Sequence, residues 1–370
     1  MIRLAFRNLF QNKARLVISA GGVALALLLI LALDAIFTGA ERRVTAYIDH
    51  SGADVIVAQS GVRNMHMASS SLPDSVARKV MAVPGVASVT SILYVTHNVV
   101  YQAERNVAYI IGLPENAEMG VPWKISSGLT LPGDEQTIID RSIAEKSGLG
   151  LGDAVEIFGE EFELAGLSDG TATLVNSVAF ISMKDFENLR GKYGTISYLL
   201  VKVNPSESAQ DVAARIESQV RDVTAQTRVE FSRQERRVIN DMSTDVVNVM
   251  NLIGFMIGLA VMALTVYTST LSRRREYGML KALGAQNRHL YLTVLAQAFL
   301  SVILGFSFGL LITIVLAQAI PLTGSSLTLE VSLDSLIKVG GVSLIITAFS
   351  AVLPIRQIAG IDPVLVFKGI

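Results

Sequence analysis

Cysteine is absent from the 370-residue sequence, so the chain forms no disulfide, thiolate metal site or cysteine nucleophile. Charged residues are scarce as well: they make up 17% of the chain, against roughly 25% in soluble domains. The formal net charge of -1 gives no reason to expect a nucleic-acid partner. The Walker A pattern G-x-x-x-x-G-K-[ST] does not occur, so the sequence holds no phosphate-binding loop of that type.

The sequence contains long apolar runs, and 51% of its residues are hydrophobic. Roughly 20 consecutive apolar residues cross a bilayer. The sequence predicts four transmembrane helices, at residues 16–38, 244–271, 290–320 and 335–355. The first run is longer than the apolar region of a signal peptide, so we expect it to be a retained anchor.

Lys and Arg are concentrated in three segments that flank these spans, and such segments face the cytoplasm. We therefore expect a cell-membrane protein with cytoplasmic N- and C-termini. The cytoplasmic segments would be an amphipathic surface helix at 1–15, a loop at 272–289 and a tail at 356–370. The outer segments would be a large domain with its stalk at 39–243 and a short loop at 321–334, which has no Lys or Arg.

Within residues 39–243, runs typical of strands alternate with runs typical of helices. The stretches ADVIVAQ and RNVAYIIGL indicate strands, and DAVEIFGEEFELAGL indicates a hairpin that turns near Gly159. The pattern predicts an extracytoplasmic α+β domain with a small β-rich insert. Residues 230–245 are expected to continue the second transmembrane helix outward as a stalk.

The stretch SRRREYGMLKALGAQNRHL, residues 272–290, is too strongly patterned for a loop that only reverses the chain. A short helix would place Tyr277, Leu280 and Leu283 near one face, with Glu276 in its first turn and Gly284 as a left-handed cap. This pattern favours a surface that docks another protein. The alternative is an ordinary loop whose arginines fix the orientation of the spans.

The segment Glu276 to Ala285, EYGMLKALGA, resembles the loop of MacB/FtsX-type permeases of ATP-binding-cassette (ABC) transporters. The start LAFRNLFQNKARLVIS, the stretch IIDRSIAEKSGLGLGDAVEIFGEEFELAGL and the end PIRQIAGIDP are similar to that family too. The resemblance implies a porter-like outer domain, a homodimer and two copies of a separate cytoplasmic ABC ATPase. ATP and Mg would be bound by that ATPase, with no cofactor on this chain. The coupling helix that docks on it would comprise Glu276, Tyr277, Gly278, Leu280, Lys281, Leu283 and Gly284.

Two groups of residues are candidates for a substrate path. Asn248 and Asn251 would enter the bilayer on the second span, where polar side chains usually face protein or water. Met65, His66 and Met67 lie in a Met- and Ser-rich loop of the outer domain. This loop could offer soft ligands to copper(I) or haem, or it could be a loop of apolar side chains near a hydrophobic substrate. Metal binding is the weaker alternative, so we expect no metal site.

Two G-x-x-x-G pairs occur in the second and third spans, Gly254 with Gly258 and Gly305 with Gly309. Small residues at this spacing allow helix backbones to approach closely, within or between subunits.

These features predict the permease subunit of an ABC-type exporter rather than an enzyme. Hydrolysis by the ATPase would drive extrusion of a hydrophobic or amphiphilic substrate, from the outer leaflet or outer space, by mechanotransmission through the stalk. The alternative is an FtsX-like signalling permease that activates an extracytoplasmic enzyme. Membrane lipid is a necessary partner, and a periplasmic or extracellular adaptor is a further one that the family resemblance allows.

Overall fold

The computed structural model of the protein describes residues 13–101, 104–172, 177–322 and 329–360. The chain divides into two compact units. The membrane unit comprises the described residues up to Gly39 and from Ser243 onward, and the sheet unit comprises Ala40–Met242. Most of the predicted surface helix at 1–15, and most of the predicted tail at 356–370, lie outside the described residues.

In chain order the described helices are α1 (Lys13–His50), α2 (Ser75–Met81), α3 (Arg141–Lys146), α4 (Met183–Arg190), α5 (Ala209–Gln219), α6 (Arg228–Ser272), α7 (Arg274–Ala282), α8 (Asn287–Leu322), α9 (Leu333–Ser350) and α10 (Val352–Ala359). The described strands are β1 (Val55–Gln59), β2 (Leu72–Pro73), β3 (Val86–Tyr101), β4 (Glu104–Leu113), β5 (Ile125–Gly128), β6 (Gln136–Asp140), β7 (Ala154–Ile157), β8 (Glu160–Ser168), β9 (Ser177–Ser182), β10 (Thr195–Ile196), β11 (Tyr198–Val203) and β12 (Val223–Thr227).

Within the described ranges, four helical segments are long and apolar enough to cross a membrane, which confirms the predicted number of spans. They are Ala20–His50, Thr244–Ser272, Asn287–Ile320 and Leu333–Ala359. The last segment is broken at Ala351 into α9 and α10. Pro354 explains the break, because it has no N–H to bond the carbonyl of Ser350 and is tolerated in the first turn of a new helix.

The helices of the membrane unit approach α1 closely at four glycines. A Cβ on Gly305 would lie 2.7 Å from the Val23 side chain, and one on Gly254 would lie 2.7 Å from that of Ile30. Similar contacts of 3.1–3.2 Å, with the Cβ of Ala26 and the carbonyl of Ala24, face Gly258 and Gly309. The tight packing that these glycines permit is therefore within one chain.

The sheet unit is built on one mixed sheet, in the order β12-β1-β11-β3-β4-β9-β6-β8-β5, with β7 pairing with β3 and β8. β4 runs parallel to β9 and β6 runs parallel to β8, while the other pairs are antiparallel. The 16-residue strand β3 pairs with β11 through its first half and with β4 through its second. It thereby joins a half covered by α2 and α5 to a β-rich half, as the α+β prediction requires.

Asp49, near the end of α1, ties that helix to the start of α6 inside the sheet unit. One of its carboxylate oxygens accepts a hydrogen bond from the Ser232 hydroxyl at 2.6 Å, and the other accepts one from Thr45 at 2.7 Å. Its carbonyl accepts a bond from the Arg228 guanidinium at 2.7 Å. The end of α1 and the start of α6 are thus joined by hydrogen bonds within the sheet unit.

Candidate functional site

The short helix α7 lies between the second and third spans, where the sequence predicts the coupling helix. Glu276 is in its first turn and forms an ion pair with Arg273 at 3.5 Å. Gly284 has φ +90°, and the chain ends the helix through two bonds, from Gly284 N–H to the Lys281 carbonyl and from Ala285 N–H to the Leu280 carbonyl. This is the Schellman pattern, which a left-handed glycine permits.

The predicted apolar face of α7 needs correction. Tyr277 is 2% exposed and belongs to the core of the membrane unit, and Gly278 is buried beside it. Leu280 is half-buried against the same core, whereas Leu283 is 84% exposed. The helix ends at Ala282, and Leu283 is its exposed C-cap residue, outside the core that Tyr277 and Leu280 contact.

Lys281 contacts the end of α10 within the same chain. Its Nζ donates hydrogen bonds to the carbonyls of Ile358 at 2.8 Å and Ala359 at 3.1 Å, at the end of α10. A cation is favourable at the C-terminal carbonyls of a helix.

Among the predicted docking residues, Glu276, Leu283 and Gly284 remain exposed. Met279, 47% exposed, adds an apolar side chain that the sequence analysis did not select.

The second group of candidate residues surrounds Glu235, a carboxylate on α6 whose side chain is fully buried in the sheet unit. It accepts hydrogen bonds from the backbone N–H of Met65 and from Nδ1 of His66. The hydroxyl of Tyr109, on β4, contacts the other ring nitrogen of His66. We refer to Glu235, His66, Tyr109 and the Met65 backbone as the Glu235 cluster.

The cluster satisfies every polar atom that it buries if the His66 proton is on Nδ1. Nδ1–H then donates to Glu235, and Nε2 accepts from the Tyr109 hydroxyl. Both ring nitrogens of His66 are thus engaged within the cluster. No group of three His, Cys, Asp or Glu suited to a metal ion occurs in the described ranges.

Two neighbouring phenols stay protonated around the cluster. Burial raises the pKa of the Tyr94 hydroxyl far above its ordinary value, with Tyr109 and Glu235 raising it further. Burial and the Glu235 charge likewise raise the pKa of Tyr198. Both hydroxyls therefore remain neutral hydrogen-bond donors at physiological pH.

The remaining candidate residues are placed as follows. Met65 is buried, and Met67 is 71% exposed. Asn248 is exposed on α6, and Asn251 is half-buried with an Oδ1 that accepts no hydrogen bond from the described residues. The two asparagines belong to the membrane unit and residues 65–67 to the sheet unit.

Two family models match the sequence and together span both units. A MacB-like periplasmic core domain matches residues 16–219, more than half of the chain. An FtsX-like permease C-terminal domain matches residues 248–363. The chain belongs to the MacB/FtsX-type family of ABC transporter permeases. As such a permease it is a multi-pass membrane protein, and membership implies a partnering ABC ATPase.

Two relatives of this permease match along all or nearly all of their length. An uncharacterized ABC transporter permease of Mycobacterium tuberculosis is 21% identical over 373 residues, covering 100% of both chains. Another, of Methanocaldococcus jannaschii, is 21% identical over 403 residues, covering 100% of this chain and 98% of the relative.

Two solved structures are similar to part of the permease. The extracellular domain of the noncanonic ABC-type transporter YknZ from Gram-positive bacteria covers 47% of this chain and 99% of its own, with 14% identity and a TM-score of 0.37. The periplasmic region of MacB from Actinobacillus actinomycetemcomitans covers 50% and 94%, with 16% identity and a TM-score of 0.39.

Sequence reasoning missed Glu235 because it lies in the charged run RQERR, which is typical of a solvated helix face. One signal was present. Phe231, Ser232 and Glu235 share a face at helical spacing, and all three are at most 1% exposed. In the sequence, the signal for a buried carboxylate was therefore that Glu235 follows Phe231 by four residues, on the same helix face.

Proposed function

We propose that this permease is the membrane subunit of an ABC-type exporter that works by mechanotransmission. A dimer of the chain would bind two copies of a cytoplasmic ATPase, which carries ATP and Mg. Closure of the ATPases would move the helices that lead to the sheet unit, and the sheet unit would release a hydrophobic or amphiphilic substrate on the outer side.

The observation that carries the proposal is the continuity of α6. This helix runs 45 residues without a break, from Arg228 beside β12 to Ser272, and α7 follows two residues later. At 1.5 Å per residue its length is about 67 Å. A continuous helix, tied to the end of α1 through Asp49 and followed by a helix anchored through Lys281, is suited to transmit displacement.

The exposed surface of α7 supports docking of the ATPase. Met279 and Leu283 present apolar side chains, flanked by the exposed Arg275 and Glu276. Such a mixture of an apolar centre and a charged rim is common at protein interfaces. The docking residues that we propose are therefore Glu276, Met279 and Leu283.

The test is co-purification of the full-length permease with the ABC ATPase encoded beside it. Met279→Asp with Leu283→Asp places charge on the proposed surface, and we expect it to release the ATPase. Leu129→Asp is the matched control, because Leu129 is also 47% exposed but lies in the sheet unit. Retention of the ATPase by the double variant would refute docking on α7.

Export itself is tested with an ATPase that binds but does not hydrolyse ATP. We expect candidate substrates to accumulate in cells that carry it. If accumulation is unchanged and cleavage of the outer wall is lost instead, the signalling role is correct and the export role is wrong.

A further inference from the structure

We propose that the sheet unit contains a binding site for a small anionic amphiphile, in the cavity between the 65–71 loop, β3 and the end of α4. The cavity has a volume of about 320 Å³, within the range of small-molecule sites. The proposal that this cavity binds such a ligand is independent of the proposed function. The proposal that the ligand is exported cargo rests on the proposed function.

The base of the cavity is apolar. Leu93, Phe186 and Ile196 line it and are each at most 5% exposed. The side chain of Met65, 8% exposed, closes it on the loop side. A hydrocarbon tail that entered here would exchange water for apolar contacts, which favours binding.

The mouth of the cavity is positively charged. Arg190 and Lys192 line it, and no described residue with a carboxylate side chain does. Neither cation forms an ion pair within the described part of the chain, and Arg190 lies over the Phe158 ring at 6.0 Å. Two cations without a carboxylate partner attract an anionic head group, and Arg matches carboxylate and phosphate geometry well.

The polar groups between mouth and base suit an anion. Tyr94 lines the cavity, and its hydroxyl lies 3.1 Å from the Thr96 hydroxyl, which also lines the cavity. Ser69 and Ser71 expose further hydroxyls on the loop side. These groups can donate hydrogen bonds to an oxyanion without adding negative charge.

The loop wall of the cavity is already ordered without ligand. The Glu235 cluster holds Met65 and His66, and the Ser70 hydroxyl accepts a bond from the Gln59 N–H at 2.9 Å. The Gln59 side chain in turn accepts one from the Ser71 N–H at 3.1 Å. Binding therefore does not have to order the loop, and affinity is retained for contacts with the ligand.

The experiment is photolabelling of the full-length permease in lipid nanodiscs with a diazirine-bearing decanoate, followed by peptide mapping. We expect labelling of residues 65–71 or 190–197, competed by unlabelled decanoate. A probe with the same tail and a trimethylammonium head should not label these peptides. Competition by decyl phosphate against decanoate shows whether the site prefers a phosphate or a carboxylate head.

Arg190→Gln with Lys192→Gln should reduce this labelling roughly tenfold, which corresponds to about 1.4 kcal/mol. Arg78→Gln with Lys79→Gln is the matched control, because this adjacent pair on α2 is exposed and does not line the cavity. Equal labelling of both variants, or equal labelling by the cationic probe, would overturn the proposal. ATP turnover of the co-purified ATPase is measured on the same samples. If turnover is normal and the cavity is unlabelled, the binding site is wrong while the exporter proposal stands.

Discussion

The Glu235 cluster predicts that Glu235→Leu destabilises the sheet unit and releases the 65–71 loop. Leucine fills similar volume but accepts no hydrogen bond. The variant would leave the Met65 N–H and the His66 Nδ1–H without an acceptor, in a place where Glu235 itself is fully buried. Buried donors without partners are costly because water cannot replace the lost bond.

The magnitude follows from these bonds. Each charge-assisted hydrogen bond contributes about 1.5–3 kcal/mol, and the substitution removes two of them. We expect a loss of about 4 kcal/mol in the free energy of unfolding. For a unit of this size, Tm should fall by roughly 8–16 °C.

Glu235→Gln separates hydrogen bonding from charge. The glutamine oxygen can accept from the Met65 N–H, and its amide can donate to His66 if the imidazole proton moves to Nε2. Nε2–H would then donate to the Tyr109 hydroxyl, so every buried group stays bonded. We expect this variant to cost only about 1 kcal/mol.

The assay uses the one tryptophan of the chain. Trp123 packs against the core of the sheet unit and stacks on His50 at 4.7 Å, so its fluorescence reports unfolding of that unit alone. Hydrogen exchange at Met65 reports the loop. In a double-mutant cycle with His66→Phe, the two changes should be non-additive by about 1–3 kcal/mol. Additive effects, or a loss below about 1 kcal/mol for Glu235→Leu, would refute the cluster as described.

Three further predictions concern packing, anchoring and alkaline stability. Gly305→Ala should destabilise the membrane unit by about 1–3 kcal/mol, because its Cβ would collide with Val23, and thermal unfolding measures this loss. The control is Gly340→Ala, whose Cβ meets open space; it should be neutral or stabilising in the same thermal unfolding assay. Lys281→Met should speed hydrogen exchange in α7, since about 1–2 kcal/mol of bonding to the last helix is lost; unchanged exchange would contradict the anchoring. Because the pKa of Tyr198 is raised in the folded state, its stabilisation is complete below about pH 10 and is lost as pH rises further. Denaturant midpoints at roughly pH 9 and 11 should therefore fall less for Tyr198→Phe than for the unchanged chain.

The features of the fold that local pattern determines could be predicted from the sequence. Apolar runs identify the four spans, and the hairpin with its turn near Gly159 appears as β7 and β8. Gly284 ends α7 because its φ of +90° is open to glycine and strained for other residues. In each case the signal lies within a few residues of the feature that it determines.

The parts that depend on distant partners could not be predicted in this way. His66 and Glu235 are 169 residues apart, and nothing near either one indicates the other. Tyr277 has the spacing of a docking face, but only the packing of the membrane unit decides that this face is turned inward. Periodicity shows that a helix has an apolar face, and it does not show what covers that face.

The position of Glu235 on α6 has a consequence for how export would work. The residue that orders one wall of the cavity lies on the helix that continues to Ser272, so a shift of α6 relative to β4 acts directly on the His66 contacts. Coupling of this kind is reciprocal: if the position of the helix alters affinity for a ligand in the cavity, the ligand alters the equilibrium between helix positions by the same free energy. A ligand bound beside the 65–71 loop would therefore shift the equilibrium between the positions of α6 without touching the ATPase. Conversely, a permease whose Glu235 cluster is broken would bind its ATPase normally and lose that response.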